Sequence, residues 1–434
     1  MTVTSVPRIV TARFEHPDSY ELDRYLATGG YTALRRALSM NPEDVAAEVD
    51  RASLLGRGGA GFPAGRKWSM LRPSPVRYLV INGDESEPAT FKDHQLIERD
   101  PHQIIEGTLI TAYAIGATQA FIYVRGEFAL GIERMTAALN EAYRYGAVGP
   151  DIFGSGFSID VVIHPGAGAY ICGDETGLLE SLEGKRGFPR IKPPYYPAVY
   201  GLYHEPTVVN NVETMSNVPW IILNGGAAFA ALGEGASTGT RLFALSGHVR
   251  RPGAYEVEMA KTTFRDLVEH PDLGGGVRNG RKVKAFIPGG ASSPWFGPDK
   301  LDLALSQEGV QANGSMLGSG SVVIMDDTTC MVRAAWRIVR FFQRESCGQC
   351  TPCREGSGWL EKIMRRIEAG AGREEDLDLL LDVCDNISPE LVWPPQQTTI
   401  CPLGPSIPPP IYSSLRMFRD EFLVHIKEGG CPYG

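Results

Sequence analysis

Apolar and polar positions along the chain change period several times, and each change marks an element. Residues 18–55 carry the helical period. Asn41-Pro42-Glu43-Asp44 supplies a capping Asn, a proline at the first helical position and acids in the first turn, and Val45, Val49, Leu54 and Leu55 turn toward a core. Residues 76–81 are a short unbroken apolar run, as a buried strand requires. Helical period returns over 100–116, strand character over 120–124, helix over 127–145 and strand over 159–163, with a further helix ending near Leu182. This alternation predicts an α/β layer with a largely parallel sheet.

The pattern then changes twice. Strands over 242–246 and 255–259 flank the turn pair Pro252-Gly253; a helix over 263–270 and strands over 283–287 and 322–325 follow. That ββαββ order is similar to a small β-grasp (ubiquitin-like) module. From 328 onward the period is helical, with stripes Val332-Trp336-Val339-Phe342, Trp359-Ile363-Ile367, Leu377-Leu381-Cys384 and Leu415-Phe418-Phe422. Four stripes predict a four-helix bundle. The divisions expected are an N-terminal helical and Gly-rich segment at 1–65, an α/β domain at 66–235, the β-grasp module at 236–327 and the helical bundle at 328–434.

Composition narrows the function. The 434 residues suffice for about three domains. A net charge of −9 argues against a nucleic-acid partner. No run approaches ~18 apolar residues, so no membrane insertion is expected. Residues 1–14 show neither a signal-peptide core nor an Arg-rich presequence. The expected location is the cytosol, or the cytosolic side of a membrane as a peripheral protein.

The densest candidate chemistry is Ser346-Cys347-Gly348-Gln349-Cys350-Thr351-Pro352-Cys353, a C-x2-C-x2-C run, with Cys401-Pro402 far downstream. Ferredoxin-type ligand runs use this spacing and a further Cys before Pro, whereas structural zinc usually takes two separated C-x2-C pairs. A disulfide or a buried apolar cysteine cluster is the alternative. Cys384 falls on an apolar stripe and is assigned to packing; Cys431, in the Gly-rich tail, is a spare. Glycines cluster in 56–65, with Arg57 and Lys67 beside them, after a helix rather than after the strand a dinucleotide fingerprint needs. Such a loop lets backbone amides approach a phosphate or a flat ring, and a plain Gly-rich loop remains the alternative. Asn82, Asp84, Glu85 and Glu87 follow the strand at 76–81. A second glycine loop, 166–173, lies between a strand and a helix opened by Asp174 and Glu175. Those carboxylates would repel a phosphate, so they cap the helix or face a ring or ribose. Residues 185–197 form a basic, aromatic, proline-stiffened loop containing Lys192 and Tyr195, and Asn210-Asn211 add polar groups.

Nucleotide-like loops beside a one-electron cluster require a carrier between hydride and single electrons, which a flavin provides. The stretches GRGGAGFPAGRKW, NGDESEPATFKD, GAGAYICGDETGLLESLEGKRGFPR and ESCGQCTPCREG resemble the flavoprotein subunit of respiratory complex I, NADH:quinone oxidoreductase, over nearly the whole chain. The resemblance implies a Rossmann-like FMN/NADH domain, an SLBB β-grasp domain, one FMN, one NADH site over it and one 4Fe–4S cluster. Gly56, Arg57, Gly58, Lys67, Asn82, Asp84, Gly173, Asn210 and Asn211 match FMN-site positions. Glu87, Glu175, Lys192 and Phe62 match positions that hold NADH, Phe62 on the adenine. Gly59, Glu85, Tyr170, Asp174 and Tyr195 complete the implied cofactor-binding set, and Cys347, Cys350, Cys353 and Cys401 match the cluster ligands. Asp174 stands where the family commonly has Glu, Met70 where an aromatic is common, and Tyr195 where Phe is common. No general acid or base is implied. The implied partners are other peripheral-arm subunits of complex I, above all a thioredoxin-like 2Fe–2S subunit and the large iron–sulfur subunit, on the cytoplasmic side of a bacterial plasma membrane. The diaphorase subunit of an NAD-linked hydrogenase or formate dehydrogenase is the alternative. A non-catalytic scaffold with a structural metal is a third reading.

Overall fold

Glycine and proline punctuation divides the first seventy residues into four short helices: α1 (Leu22–Ala27), α2 (Thr32–Leu38), α3 (Pro42–Arg51) and α4 (Ala64–Ser69). The structure is a computed structural model and describes residues 7–433. Pro42 opens α3 as expected, but Asn41 does not cap it through its side chain; its amide donates to the Asp44 carboxylate instead (3.0 Å). The first strand and its helices follow: β1 (Tyr78–Gly83), α5 (Asp93–Arg99), α6 (Pro101–Ile115), β2 (Gln119–Val124), α7 (Ala129–Tyr145), β3 (Asp160–Pro165), α8 (Glu175–Leu182), α9 (Pro197–Tyr200), β4 (Thr207–Asn211), α10 (Val212–Asn224) and α11 (Gly226–Ala230).

The four strands pair in parallel in the order β3-β2-β1-β4, with Leu79 opposite Ala120 and Val208. Successive side chains alternate faces. Leu79, Ile81, Ala120, Ile122 and Val208 pack against α2, α3, α6 and α10, and Val80, Phe121, Tyr123 and Val209 face a second core. Both faces of β1 and β2 are covered, which is why these two strands read as unbroken apolar runs, whereas the edge strand β3 has exposed positions and β4 ends in two asparagines. The N-terminal helices share the first of these cores. Helices α6 and α7 end at Gly116 and Gly146, each in the left-handed region that glycine enters without steric cost.

The next unit begins with the two-residue strands β5 (Gly233–Glu234) and β6 (Ser237–Thr238). It continues through β7 (Thr240–Gly247), β8 (Gly253–Glu258), α12 (Phe264–Glu269), β9 (Val283–Ile287), α13 (Gln307–Ala312) and β10 (Ser321–Asp326). The sheet order is β8-β7-β10-β9, with β7 and β10 parallel and the outer pairs antiparallel. Thr263 and Asp266 form a reciprocal capping box that starts α12. Its apolar face, Phe264, Leu267 and Val268, closes a separate small core.

Four helices complete the chain: α14 (Met331–Glu345), α15 (Thr351–Glu368), α16 (Glu375–Ile387) and α17 (Pro408–Glu428). The expected stripes need two corrections. Trp359 is 56% exposed, and Leu360 takes the buried position beside it; on α16 Leu377 and Cys384 are fully buried as expected, and Leu380 rather than Leu381 is buried between them. The core of these helices is continuous with the second face of the parallel sheet, through Val209, Ile171, Leu178, Ala335 and Phe342. No helix among the described residues is long and apolar enough to cross a membrane.

Candidate functional site

The first glycine loop closes on itself: the Gly56 amide donates to the Phe62 carbonyl (3.0 Å) and the Ala64 amide to the Leu54 carbonyl (2.8 Å). A Cβ on Gly58 would stand 3.2 Å from the Cβ of Asn211, a tight contact that glycine avoids as this loop lies against the end of β4. The two cations beside it separate. Lys67 is part-exposed; its Nζ donates to the Val209 carbonyl (3.0 Å) and lies 3.6 Å from Glu175 Oε2. Arg57 is wholly buried and donates to the carbonyls of Thr238 and Thr240 (2.9 Å each), so its side chain bolts the loop to the second unit rather than opening on the cleft. Burial and the neighbouring Arg241 bring its pKa down to about 10.

At the end of β1 the four polar residues take four different tasks. Asn82 donates to the Gly173 carbonyl (3.0 Å) and accepts from the Asp84 amide (3.0 Å), joining the end of β1 to the second glycine loop. Asp84 is buried; Oδ2 accepts from the Ser86 hydroxyl and Oδ1 has no hydrogen-bond partner. Glu85 does not present its carboxylate to the cleft: it accepts from the amides of Lys92 (2.6 Å), Asp93 and His94 (2.9 Å) and so caps α5. Glu87 reaches across to the second unit, its Oε1 accepting from the amide and hydroxyl of Ser292 (2.7 and 2.6 Å) and its Oε2 from the Tyr170 hydroxyl (2.6 Å). Burial pushes the Glu87 carboxyl up, against those three hydrogen bonds.

The second loop makes a short 3-10 turn at Tyr170–Gly173, and a Cβ on Gly173 would lie 3.4 Å from Asp84 Oδ2. Asp174 caps α8, accepting from the amides of Thr176 and Gly177 (2.9 and 3.0 Å), one of the two tasks expected of it. Glu175 is held between Lys192 (2.9 Å) and Lys67; burial works against its charge, but the two lysines win and lower its pKa. Phe62 and Tyr195, each 38% exposed, and Met70 offer flat or flexible apolar surface to solvent. Asn211 caps α10 through the Glu213 amide (2.9 Å) and donates to Asp93 (2.7 Å). Asn210, with its amide turned, accepts from the Trp68 indole (2.9 Å).

Sequence reasoning missed a buried ion cluster beneath this cleft. Lys92 Nζ lies 2.7 Å from both Asp93 and Glu213, and Glu213 also accepts from the Leu242 amide (2.8 Å). Burial opposes the Lys92 charge, and Asp93, Glu213 and Glu85 outweigh it. Lys92 and Asp93 end the stretch NGDESEPATFKD, so adjacency of opposite charges was the one signal. Ser292 lies in Pro288-Gly289-Gly290-Ala291-Ser292, where a glycine pair in an otherwise scaffold-like module marked a close approach: a Cβ on Gly290 would meet Glu87 at 2.8 Å.

The orphaned Asp84 Oδ1, the Gly58 and Gly173 cradles and the part-exposed Lys67 fit a flavin mononucleotide, whose ring offers polar edge atoms and whose phosphate needs a cation. Burial pushes the Asp84 carboxyl up to about 7. Without the cofactor, the folded chain keeps this proton up to about pH 7, whereas the unfolded chain releases it near pH 4. Stability therefore falls as pH rises through that window. Asp84→Asn removes the titration, and the stability of flavin-free variant over flavin-free parent is expected to grow by about 3 kcal/mol between pH 5 and pH 8. Parallel pH profiles in thermal unfolding would contradict this.

The three clustered cysteines sit where α14 hands over to α15. Cys350 is the N-cap of α15 and Cys353 lies in its first turn, so the positive end of the helix lies at the sulfurs, which favours an anionic centre. Ser346 Oγ lies 3.2 Å from Cys353 Sγ, and Arg186 donates to the Cys347 carbonyl (3.5 Å). Cys401, in the α16–α17 connection, is close enough to Cys347, Cys353 and Asp174 that their charges oppose its ionisation, after burial as the main cause; its thiol is pushed up to about 12 and that of Cys353, by burial, to about 11. Single-ion convergence, with all ligand atoms within 4.8 Å, does not occur among these four cysteines of the described chain. A C-x2-C-x2-C run with a fourth cysteine before proline, brought from two loops, fits a four-iron core better than zinc. Tyr170 joins this centre to the cleft: its amide donates to Glu345 (3.0 Å), and its ring meets Phe341 and Phe342 edge-on at 5.4 and 5.8 Å.

Residues 49–220 match the family description "Nuo51 FMN-binding domain", and residues 333–425 match the "NADH-ubiquinone oxidoreductase-F iron-sulfur binding region". The chain is 50% identical to F-subunit 2 of the NADH-quinone oxidoreductase of Rhizobium meliloti (strain 1021), covering 96% of this chain and 97% of that one. It is 42% identical to NADP-reducing hydrogenase subunit HndC of Solidesulfovibrio fructosivorans over 98% of its length and 84% of the relative's. Among solved structures it is similar to an NAD+-reducing [NiFe]-hydrogenase in the H2-reduced state, with a TM-score of 0.81 and 33% identity over 95% of this chain and 67% of that chain. The glycine-loop cleft falls inside the first matched region and Cys347, Cys350, Cys353 and Cys401 inside the second, and on identity over nearly the whole length the chain belongs to the F-subunit family of the NADH-quinone oxidoreductases.

Proposed function

We propose that this chain is the NADH-oxidising entry subunit of a respiratory NADH:quinone oxidoreductase. In this reading it is peripheral on the cytoplasmic side of a bacterial plasma membrane, beside a thioredoxin-like 2Fe–2S subunit and a large iron–sulfur subunit. FMN would supply the conversion between a hydride and single electrons, and a 4Fe–4S cluster would supply a one-electron acceptor beside it. The chain's residues bind and orient. Gly56, Gly58, Gly59 and Gly173 let the backbone approach the flavin; Lys67, Asn82, Asp84, Asn210 and Asn211 hold it. Arg57 and Glu85 support that loop from behind, one through the joint with the second unit and one through the α5 cap. Glu87, Glu175 and Lys192 orient NADH, Phe62 and Tyr195 stack on it, and Asp174 fixes the α8 N-terminus beside it. No side chain is needed as a proton-transfer group, because hydride transfer depends on stacking and distance. Cys347, Cys350, Cys353 and Cys401 ligate the cluster.

The observation that carries this reading is Tyr170. One side chain on the flavin loop hydrogen-bonds Glu87 and packs on the two phenylalanines that precede the cysteine run, so hydride entry and electron exit share a rigid node. The corresponding architecture is an N-terminal helical and Gly-rich segment at 1–65, a Rossmann-like domain at 66–235, an SLBB β-grasp domain at 236–327 and a four-helix bundle at 328–434. The β8-β7-β10-β9 order and the four packed helices support these assignments. The likeness to NAD+-reducing hydrogenase favours a second reading, the diaphorase subunit of such an enzyme. Affinity purification from detergent-treated membranes separates them. The first reading expects a small and a large iron–sulfur partner with NADH-dependent quinone reduction; hydrogen-dependent NAD+ reduction by the captured assembly would support the second.

A further inference from the structure

We propose that Cys330, Glu368, His425 and Cys431 form a structural zinc site at the end of the helical unit remote from the cysteine run. Their ligand atoms, two Sγ, one imidazole nitrogen and one carboxylate oxygen, all lie within 4.8 Å of one another. They come from four places in the chain. Cys330 is the N-cap of α14, Glu368 is the last residue of α15, His425 lies in the last turn of α17, and Cys431 follows the glycines that end it. The tail is turned back by Gly429 in the left-handed region, and the Gly430 amide donates to the His425 carbonyl (3.0 Å). Gly370 admits the tail: a Cβ there would stand 1.9 Å from the Gly429 carbonyl carbon. Cys431 is therefore half-buried in a defined position although it lies in the Gly-rich tail.

The surroundings of the four residues are those of a metal site. His425 Nδ1 faces the Glu421 carbonyl (2.7 Å), which fixes the ring proton there and leaves Nε2 as the free lone pair. That Nε2 lies 3.3 Å from Cys330 Sγ and 3.4 Å from Glu368 Oε2. Glu368 is oriented by Arg333, whose Nε donates to Oε1 (2.6 Å), while the buried Oε2 accepts no hydrogen bond. The Arg333 amide donates to Cys330 Sγ (3.3 Å), a bond that stabilises a thiolate. Two thiolates, an imidazole and a carboxylate are a four-coordinate donor set for zinc, too soft for calcium or magnesium. Binding would release two thiol protons to solvent, and the site's remaining single negative charge is met by the Arg333 guanidinium. Cys353 and Glu368 stand at opposite ends of α15, about 22 Å apart by helical rise, so these residues do not belong to the iron–sulfur centre.

The test is metal analysis of the full chain carrying FMN and its cluster, prepared anaerobically, incubated with Zn2+ alone and dialysed. About one zinc is expected beside about four irons. Zinc-edge X-ray absorption is expected to find two sulfurs at about 2.3 Å and two lighter atoms at about 2.0–2.1 Å. His425→Ala and Cys431→Ser should lose at least about tenfold in zinc content and keep iron and flavin, while Cys353→Ala should lose iron and keep zinc. Cys431 lies at the surface of the unit, so its variant folds even if buried replacements do not. Three results would overturn the proposal: zinc far below one per chain, zinc that survives Cys431→Ser but disappears with Cys353→Ala, or a Cys330–Cys431 disulfide in the anaerobic protein.

Discussion

Cys353→Ala and Cys401→Ala proteins are expected to retain flavin and lose the iron–sulfur centre, with iron falling below about a tenth of the parent's and the reduced-state EPR signal gone. Cys353 opens α15 and Cys401 lies in the α16–α17 connection, so one centre ties two interhelix segments together and its loss loosens the helical unit as well. The proposed flavin cradle, 56–67, 82–84, 173 and 210–211, takes no residue from the cysteine run or the α16–α17 connection and should survive. Cys384→Ala is the control. This thiol is fully buried on α16 and packs among apolar side chains, so replacement should cost about 1 kcal/mol of stability and leave iron unchanged. Iron that follows Cys384 and not Cys401 would reverse the ligand assignment.

Lys67→Ala is expected to purify with most of its flavin missing and its fold intact. The ammonium serves the Val209 carbonyl and Glu175 and, in the proposed role, the flavin. A charge-assisted hydrogen bond contributes about 1.5–3 kcal/mol, which corresponds to roughly 10–150-fold in flavin affinity. Lys67 is part-exposed, so water replaces it on the protein side and thermal stability without flavin should change little. Glu175 then retains only Lys192, and NADH affinity should fall with flavin affinity. Full flavin occupancy with normal NADH oxidation would remove Lys67 from the site.

Strands β1 and β2 were legible in the sequence because both their faces are buried, which makes each an unbroken apolar run; β3, with exposed positions at the sheet edge, was legible from Ile159 to Ile163, whereas β4, which ends in two asparagines, did not read as a strand. The strands β7, β8, β9 and β10 and the helix α12 were legible from period and turn chemistry, whereas the short α13 between β9 and β10 was not. What pattern could not supply is partner choice. Asn41 has the right type and position for a cap, yet Asp44 three residues on competes for its amide. Glu85 reads like a cleft acid beside Asp84, but the free amides at the start of α5 take its carboxylate. Arg57 reads like a phosphate cation, but the backbone of 238–240, far along the chain, takes it. Ser292 meets Glu87 across a gap of 205 positions, which no local spacing announces. The same holds at the far end of the bundle. Cys330, Glu368, His425 and Cys431 have no motif spacing, and only the antiparallel return of three helices and the tail brings them together.

The most direct test is an anaerobic titration of the purified, iron-loaded chain with NADH, following flavin absorbance and the cluster's EPR signal together. The account predicts that NADH bleaches the flavin and that the cluster signal appears in the same titration without any other reductant, with both responses lost in flavin-free Lys67→Ala and only the second lost in Cys353→Ala. A flavin that stays oxidised under excess NADH, or a bound metal that is zinc alone at Cys347, Cys350, Cys353 and Cys401, would contradict it.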